Sequence, residues 1–194
     1  MSTTEDIHAF LTKRENLSIA LEIADHVENL KNTSHRNFWS NFNHLLAAKL
    51  KQSDLVSEWT YEPFKGVKDQ WGKSYLAPRK KGDIYKHFLV MVFGQTNKPD
   101  YRLFWGIQWR NELSSFTHPD LLVLMEILHK HNIKFVERSW IGWGYNEYSV
   151  YSEDFLYRIN NDPDVLYEEI IDKYWGLFLE VRPLMERIHQ AANA

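Results

Sequence analysis

From Thr4 to about Lys31, the apolar residues Ile7, Phe10, Leu11, Leu17, Leu21, Ala24 and Val27 recur at intervals of three, four and seven, the repeat of one helix face. Thr3 with Asp6, or Ser2 with Glu5, supplies a capping pair at its start. The polar run Thr12 to Asn16 predicts a break near Asn16. A second helix is expected from Ser34, as its N-cap, to about Gln52, on the stripe Phe38, Phe42, Leu45, Leu46 and Leu50. After Ser53 and Asp54 the period becomes two: Leu55, Trp59 and Tyr61 alternate with Glu58, Thr60 and Glu62, a strand that Pro63 ends.

Residues 65–81 carry turn signals at Gly66, Gly72 and Pro78 and read as loop, with a short strand near Tyr75. Ile84 to Phe93 is nearly continuously apolar, as a strand covered on both faces requires. Asn97 and Pro99 turn the chain back into Tyr101 to Arg110. There Tyr101, Leu103, Trp105, Ile107 and Trp109 share one face, and Arg102, Phe104, Gly106, Gln108 and Arg110 the other. Thr117 with Asp120 caps a helix on Leu121, Leu122, Leu124, Met125 and Leu128, which ends near Asn132. Ile133 to Ile141 reads as a strand, and the Tyr145–Tyr151 run as a short one. Asp162 and Pro163 start the last helix, whose stripe is Leu166, Ile170, Tyr174, Leu177, Phe178, Val181, Leu184 and Ile188, with a kink or split expected at Pro183.

This order lacks the strand and helix alternation of a doubly wound sheet. It predicts a single α+β domain over residues 1–194: an antiparallel sheet of about four to six strands flanked by N-terminal and C-terminal helices. Residues 1–52 form the helical N-terminal part, 53–152 the sheet with one inserted helix, and 153–194 the C-terminal helices.

Composition sharpens the picture in three ways. Eight Trp, 10 Tyr and 11 Phe exceed what a surface needs, so most must be core, while any left half-exposed are suited to recognition. A net charge of −3 gives no global attraction to nucleic acid or anionic lipid, so only a local patch would bind either. With no cysteine there is neither disulfide nor thiolate chemistry, and with no basic, apolar leader or membrane-length apolar run a cytoplasmic location is expected.

Phosphate-binding glycine loops, Gly-x-Ser-x-Gly, His-Glu-x-x-His, calcium loops and the Glu-x-Lys of restriction-type nucleases do not occur, which leaves an enzyme only if its site is dispersed along the chain. His129 and His131 fall on different sides of a helix end and complement its dipole rather than a metal. Glu168, Glu169 and Asp172 read as an acidic first turn beside Lys173. No metal or cofactor is expected.

Two stretches stand out as candidates for recognition. In residues 65–81, Lys65, Lys68, Lys73, Arg79, Lys80 and Lys81 against Asp69 give a formal +5, with Trp71 and Tyr75 among them. That mixture neutralises phosphates and stacks bases, or else is a solvated loop. An acidic region from Glu153 onward, formally −5, is its possible counterpart. In the second stretch, Trp140 to Tyr151, glycines at 142 and 144 flank Trp143, and Tyr145 and Tyr148 follow, either a ligand slot or protein hot spot or else an aromatic strand on a helix. The reading is a non-catalytic binding or regulatory protein that recognises another macromolecule through aromatic and charged surface residues. A protein partner or self-association is expected first, single-stranded nucleic acid second, and no membrane. Burial of Trp71 and Trp143 would make the aromatic load architecture instead.

Overall fold

The computed structural model describes residues 3–64, 72–79, 85–97, 100–111, 116–137 and 139–194. Helix α1 (Thr4–Leu11) is closed by the Thr3–Asp6 capping box. Lys13 is extended, and helix α2 (Arg14–Gln52) follows as 39 unbroken residues, roughly 58 Å at 1.5 Å per residue. The break therefore falls at Thr12–Lys13 rather than near Asn16, whose Nδ2 donates to the Phe10 carbonyl at 2.9 Å. Nor does Ser34 begin a helix. It is buried within α2, where its hydroxyl accepts a hydrogen bond from Asn160 Nδ2 at 3.0 Å. What the polar run around Ser34 marks is the place where α2 passes from solvent into the body of the protein. No residue from 3 to 33 is buried, whereas Ser34, His35, Phe38, Trp39, Phe42, Leu46 and Leu50 are.

A 3-10 turn (Asp54–Ser57) leads into the sheet: β1 (Trp59–Glu62), β2 (Gly72–Pro78), β3 (Phe88–Gln95), β4 (Arg102–Arg110) and β5 (Trp140–Ser149). The strands lie in chain order and pair antiparallel throughout. Between β4 and β5 lies α3 (Pro119–Lys130), and α4 (Glu153–Asn161) and α5 (Pro163–Ala192) close the chain. The fold is α+β, a five-stranded antiparallel sheet with a long N-terminal helix and a C-terminal helix. Among the described residues no helix is long and apolar enough to cross a membrane.

Several boundaries differ from expectation; Leu55, expected in a strand, lies in the 3-10 turn, and β1 starts at Trp59. The cap of α3 is His118, whose Nδ1 accepts the Asp120 N–H at 3.2 Å, because Pro119 fits the first turn and shifts the start past Thr117. Among the described residues between α3 and Trp140 there is one isolated bridge, Phe135 to Trp143, so of the strand expected over 133–141 the structure shows Trp140 and Ile141, as the start of β5. Pro183 lies inside an unsplit α5.

One sheet face meets the helices. Leu76, Leu89, Met91, Phe93, Leu103, Trp105, Ile107 and Trp109 join Phe38, Phe42 and Leu46 of α2 and Tyr174, Phe178 and Val181 of α5 in one core. Phe42 stacks on Phe93 with centroids 4.4 Å apart, and Tyr174 donates its hydroxyl proton to the Met91 carbonyl at 3.0 Å. Gln95 Oε1 accepts from Trp39 Nε1 at 3.0 Å and lies 3.0 Å from His35 Nε2, so the buried end of β3 is tied to α2 by satisfied polar groups. The opposite face carries a separate cluster of Ala77, Phe88, Val90, Val92 and Phe104.

Candidate functional site

Strand register defines this second face. Glu62, Tyr75, Val92, Gly106 and Trp143 lie opposite one another in a row across all five strands. Beside it run Lys73, Gly94, Phe104 and Tyr145, and on the other side Val90, Gln108 and Trp140. Phe88 pairs with Arg110 at the end. Directly opposed residues share a face, so β2, β4 and β5 deliver these side chains to one surface. Its outer layer is Tyr75, Trp140, Trp143 and Tyr145, all half-buried over the Phe88, Val90, Val92 and Phe104 cluster.

Glycines set how closely these rings approach. A Cβ on Gly94 would lie 2.5 Å from Phe104 Cζ, so the bare position is filled by that ring. Phe104 meets both Trp140 and Trp143 edge to face at 6.0 Å, and Trp143 meets Tyr145 at 5.3 Å and 85°. Such perpendicular contacts set positive ring edges against negative ring faces and hold the platform in one arrangement.

Cations sit among the rings. The Arg102 guanidinium lies 4.0 Å from the Tyr145 centroid, that of Arg110 4.8 Å from Tyr75, and Lys73 Nζ 4.5 Å from Trp140. Lys73 Nζ also donates to Gln108 Oε1 at 3.1 Å. Burial of Lys73, aided by the neighbouring Arg110 charge, lowers its pKa to about 8, which leaves it mostly charged at neutral pH. Burial also raises the Tyr75 hydroxyl above its ordinary value. Glu62, on edge strand β1, is the carboxylate in the rows just described.

The two sequence candidates thus meet. Lys73 and Tyr75 of the first and Trp143 and Tyr145 of the second share this face, although about 70 residues separate them. Because β2 is a full strand of seven residues, Lys73 and Tyr75 are fixed on a sheet and not carried on a loop. Arg79 lies past the end of β2, its Nε donating to the Val56 carbonyl at 3.1 Å. Lys65, Lys68, Trp71, Lys80 and Lys81 lie outside the described residues. Trp143 is in a strand and half-buried. The glycines beside it serve packing: a Cβ on Gly144 would lie 2.7 Å from the Asn132 carbonyl oxygen, and one on Gly142 2.9 Å from Leu128 of α3.

Tyr148 separates from its neighbours. It is buried on the helix side, 6.3 Å from Phe155 and 5.9 Å from the Arg158 guanidinium, and burial raises its pKa to about 12. Around it, Lys173 bridges Glu147 and Glu169, and Arg158 holds Glu169 at 2.5 Å. The hydrogen bond from Arg158, with that from Lys173, pulls Glu169 down to about 2. Asp172 forms an ion pair with Lys49 at 2.5 Å, and His131 Nε2 lies within hydrogen-bond distance of Glu180 at 2.9 Å, so both side chains are engaged within the fold. Among the described residues no group of three or more His, Cys, Asp or Glu is placed to hold a metal.

Sequence reasoning included Trp140 as the start of the second stretch but passed over Phe104, Arg102, Gln108 and Arg110 as site residues. The signal for these four was present in the alternation that put them on one face of β4. A histidine and carboxylates do converge beside α5, where His189, Glu186 and Glu58 line a recess with Trp59 and Tyr85. Their bonding is internal: Glu186 accepts from Trp59 Nε1 at 3.0 Å and Arg182 at 2.8 Å, and His189 Nε2 accepts the Leu89 N–H at 2.8 Å. Compared with known proteins, the chain matches no family model, no curated protein and no solved structure.

Proposed function

We propose that this is a non-catalytic binding protein whose aromatic, cationic sheet face recognises single-stranded nucleic acid. The observation that carries the reading is the convergence of Tyr75, Trp140, Trp143 and Tyr145 with Lys73, Arg102 and Arg110 on one face of a rigid sheet. Aromatic rings held by a sheet stack bases without selecting among them, and interleaved cations neutralise the backbone. An acidic peptide would use the cations and leave the rings idle.

Charge placement supports the same reading. Helix α5 packs on the face that holds Met91, so its acidic residues and the Lys73 face lie on opposite sides of the sheet. The basic segments 65–71 and 79–81 adjoin β2 in the chain. A protein of net charge −3 thus has a local positive field where the rings are, the arrangement that steers an anionic polymer to one surface.

Fluorescence anisotropy with a labelled single-stranded oligonucleotide, repeated at several salt concentrations, tests this. Affinity is expected to fall steeply with salt. Changing Arg102→Gln and Arg110→Gln together is expected to reduce the slope of log affinity against log salt by about 1.4, about 0.7 for each lost phosphate contact. Both side chains are exposed, so the fold is expected to survive. No binding, salt-independent binding, or a slope unchanged in the double variant would overturn the proposal. Equal competition by a polyglutamate peptide would reassign the face to an acidic protein.

A further inference from the structure

A second surface stands apart from the sheet. The nine side chains Ile7, Phe10, Leu11, Leu17, Ile19, Leu21, Ile23, Val27 and Leu30 of α1 and the first half of α2 are each 37–59% exposed. The stretch of α2 ahead of Ser34 is 20 residues long, roughly 30 Å of helix. Around it Leu17, Ile19, Ala20, Leu21, Ile23, Ala24, Val27 and Leu30 cover roughly 200° of the circumference, twice the stripe that a helix needs to pack on its own core. Together the exposed side chains present on the order of 800 Å² of apolar surface, above the 300–600 Å² patch usual on a monomer and equal to one partner's share of a standard interface.

We infer that a second copy of this chain covers the arm, the two α2 helices pairing antiparallel about a twofold axis near Ala20 and Leu21. Charge complementarity selects this occupant. Lys13 and Arg14 lie at the N-cap and first position of α2, while Asp25 and Glu28 lie in the second half of the apolar stretch. Antiparallel pairing centred on Ala20 and Leu21 sets Lys13 and Arg14 of each copy beside Glu28 and Asp25 of the other, and places Leu17 against Ala24. The small side chains of Ala20 and Ala24 let the helix axes approach closely. Parallel pairing would set like charges together. One helix carrying both halves of a self-complementary pattern is what an isologous interface requires, and a foreign partner gives no reason for it. The antiparallel arrangement also sends the two folded bodies to opposite ends of the paired arms. This inference does not depend on the nucleic-acid reading.

Sedimentation and light scattering of the full chain test it. The expected mass is twice 23.2 kDa at micromolar concentration. Leu21→Glu with Ile23→Glu is expected to weaken association at least about 100-fold by burying charge in the contact, with an unchanged thermal melt for the body, because neither residue is buried. Lys13→Glu with Arg14→Glu is expected to weaken the dimer about tenfold, and adding Asp25→Lys and Glu28→Lys to restore it. A monomer of 23.2 kDa at high micromolar concentration, a dimer unaffected by the Leu21 and Ile23 changes, or an arm that binds only a foreign protein would each overturn the assignment.

Discussion

Replacing Phe42 by alanine is expected to destabilise the protein by about 3–5 kcal/mol, a large share of the whole stability of a domain this size. Phe42 is fully buried and links three elements. It stacks on Phe93 of β3 at 4.4 Å, meets Trp39 of its own helix at 5.7 Å, and approaches Tyr174 of α5 at 6.4 Å. Truncation removes the ring's transfer energy and leaves a cavity between rigid aromatic neighbours that are poorly able to collapse into it. Phe42→Leu keeps much of the volume and should cost less than half as much. Urea unfolding followed by circular dichroism measures both. A loss below about 1 kcal/mol for Phe42→Ala would mean that α2 is not seated on β3 as described.

The second large effect is acid sensitivity from His189, which is 1% exposed. Its pKa is lowered to about 4, chiefly by burial. Since Nε2 accepts the Leu89 N–H, a proton added there would set one donor against another. The native state therefore keeps this ring neutral where the unfolded chain, titrating near 6.5, takes up a proton. Stability is intact above about pH 6.5, and the unfolded state gains protons first as pH falls. The loss is complete near pH 4 and amounts to about 3 kcal/mol. His189→Gln retains an acceptor for Leu89 and should flatten the stability profile between pH 6.5 and 4.5. Losses from Glu169, which is held at about 2 by Arg158 and its neighbours, begin only below that window. An unchanged profile in the variant would place the acid-sensitive group elsewhere.

The parts of the fold that the sequence made legible are those in which local pattern and tertiary environment agree. Phe88 to Phe93 is apolar because both faces of β3 are covered, and Asp162 with Pro163 starts α5 where the chain leaves α4. The alternation in β4 separates the helix-side core from the other face in the sequence itself. β2 was obscured because Gly72 and Pro78 are turn signals in isolation. In the sheet, Gly72 sits under the Phe64 ring, and Pro78 ends the pairing with β1 opposite Trp59. The stretch 133–137 fails as a strand because the glycines at 142 and 144 admit the chain after α3 against β5, leaving one bridge in place of a ladder.

The candidate surface was half legible. Lys73, Tyr75, Trp143 and Tyr145 were visible as aromatic and charged residues, but which of them share a face depends on strand register, and register is a tertiary property. Tyr148 went the other way for that reason. Trp143, half-buried in a strand, is part of the architecture as well as part of the surface. Arg102 and Arg110 acquire meaning only once the rings beneath them are known. The arm, by contrast, was largely present in the periodicity of residues 4–31, although Ile19, Ile23 and Leu30 lay outside the stripe and the break falls at Thr12–Lys13. What the periodicity does not say is whether an apolar face has anything to pack on within its own chain.

The central claim, that the face carrying Tyr75, Trp140, Trp143 and Tyr145 is where a nucleic acid strand lies, is tested most directly by ultraviolet crosslinking to a single-stranded oligonucleotide. Crosslinked peptides are then identified by mass spectrometry. Adducts on β2 and β5 at Tyr75, Trp140, Trp143 or Tyr145, lost when Tyr145 and Arg102 are both changed to alanine, are the predicted result. Adducts confined to the arm or to α5, or none from a mixture in which the strand is bound, would contradict it.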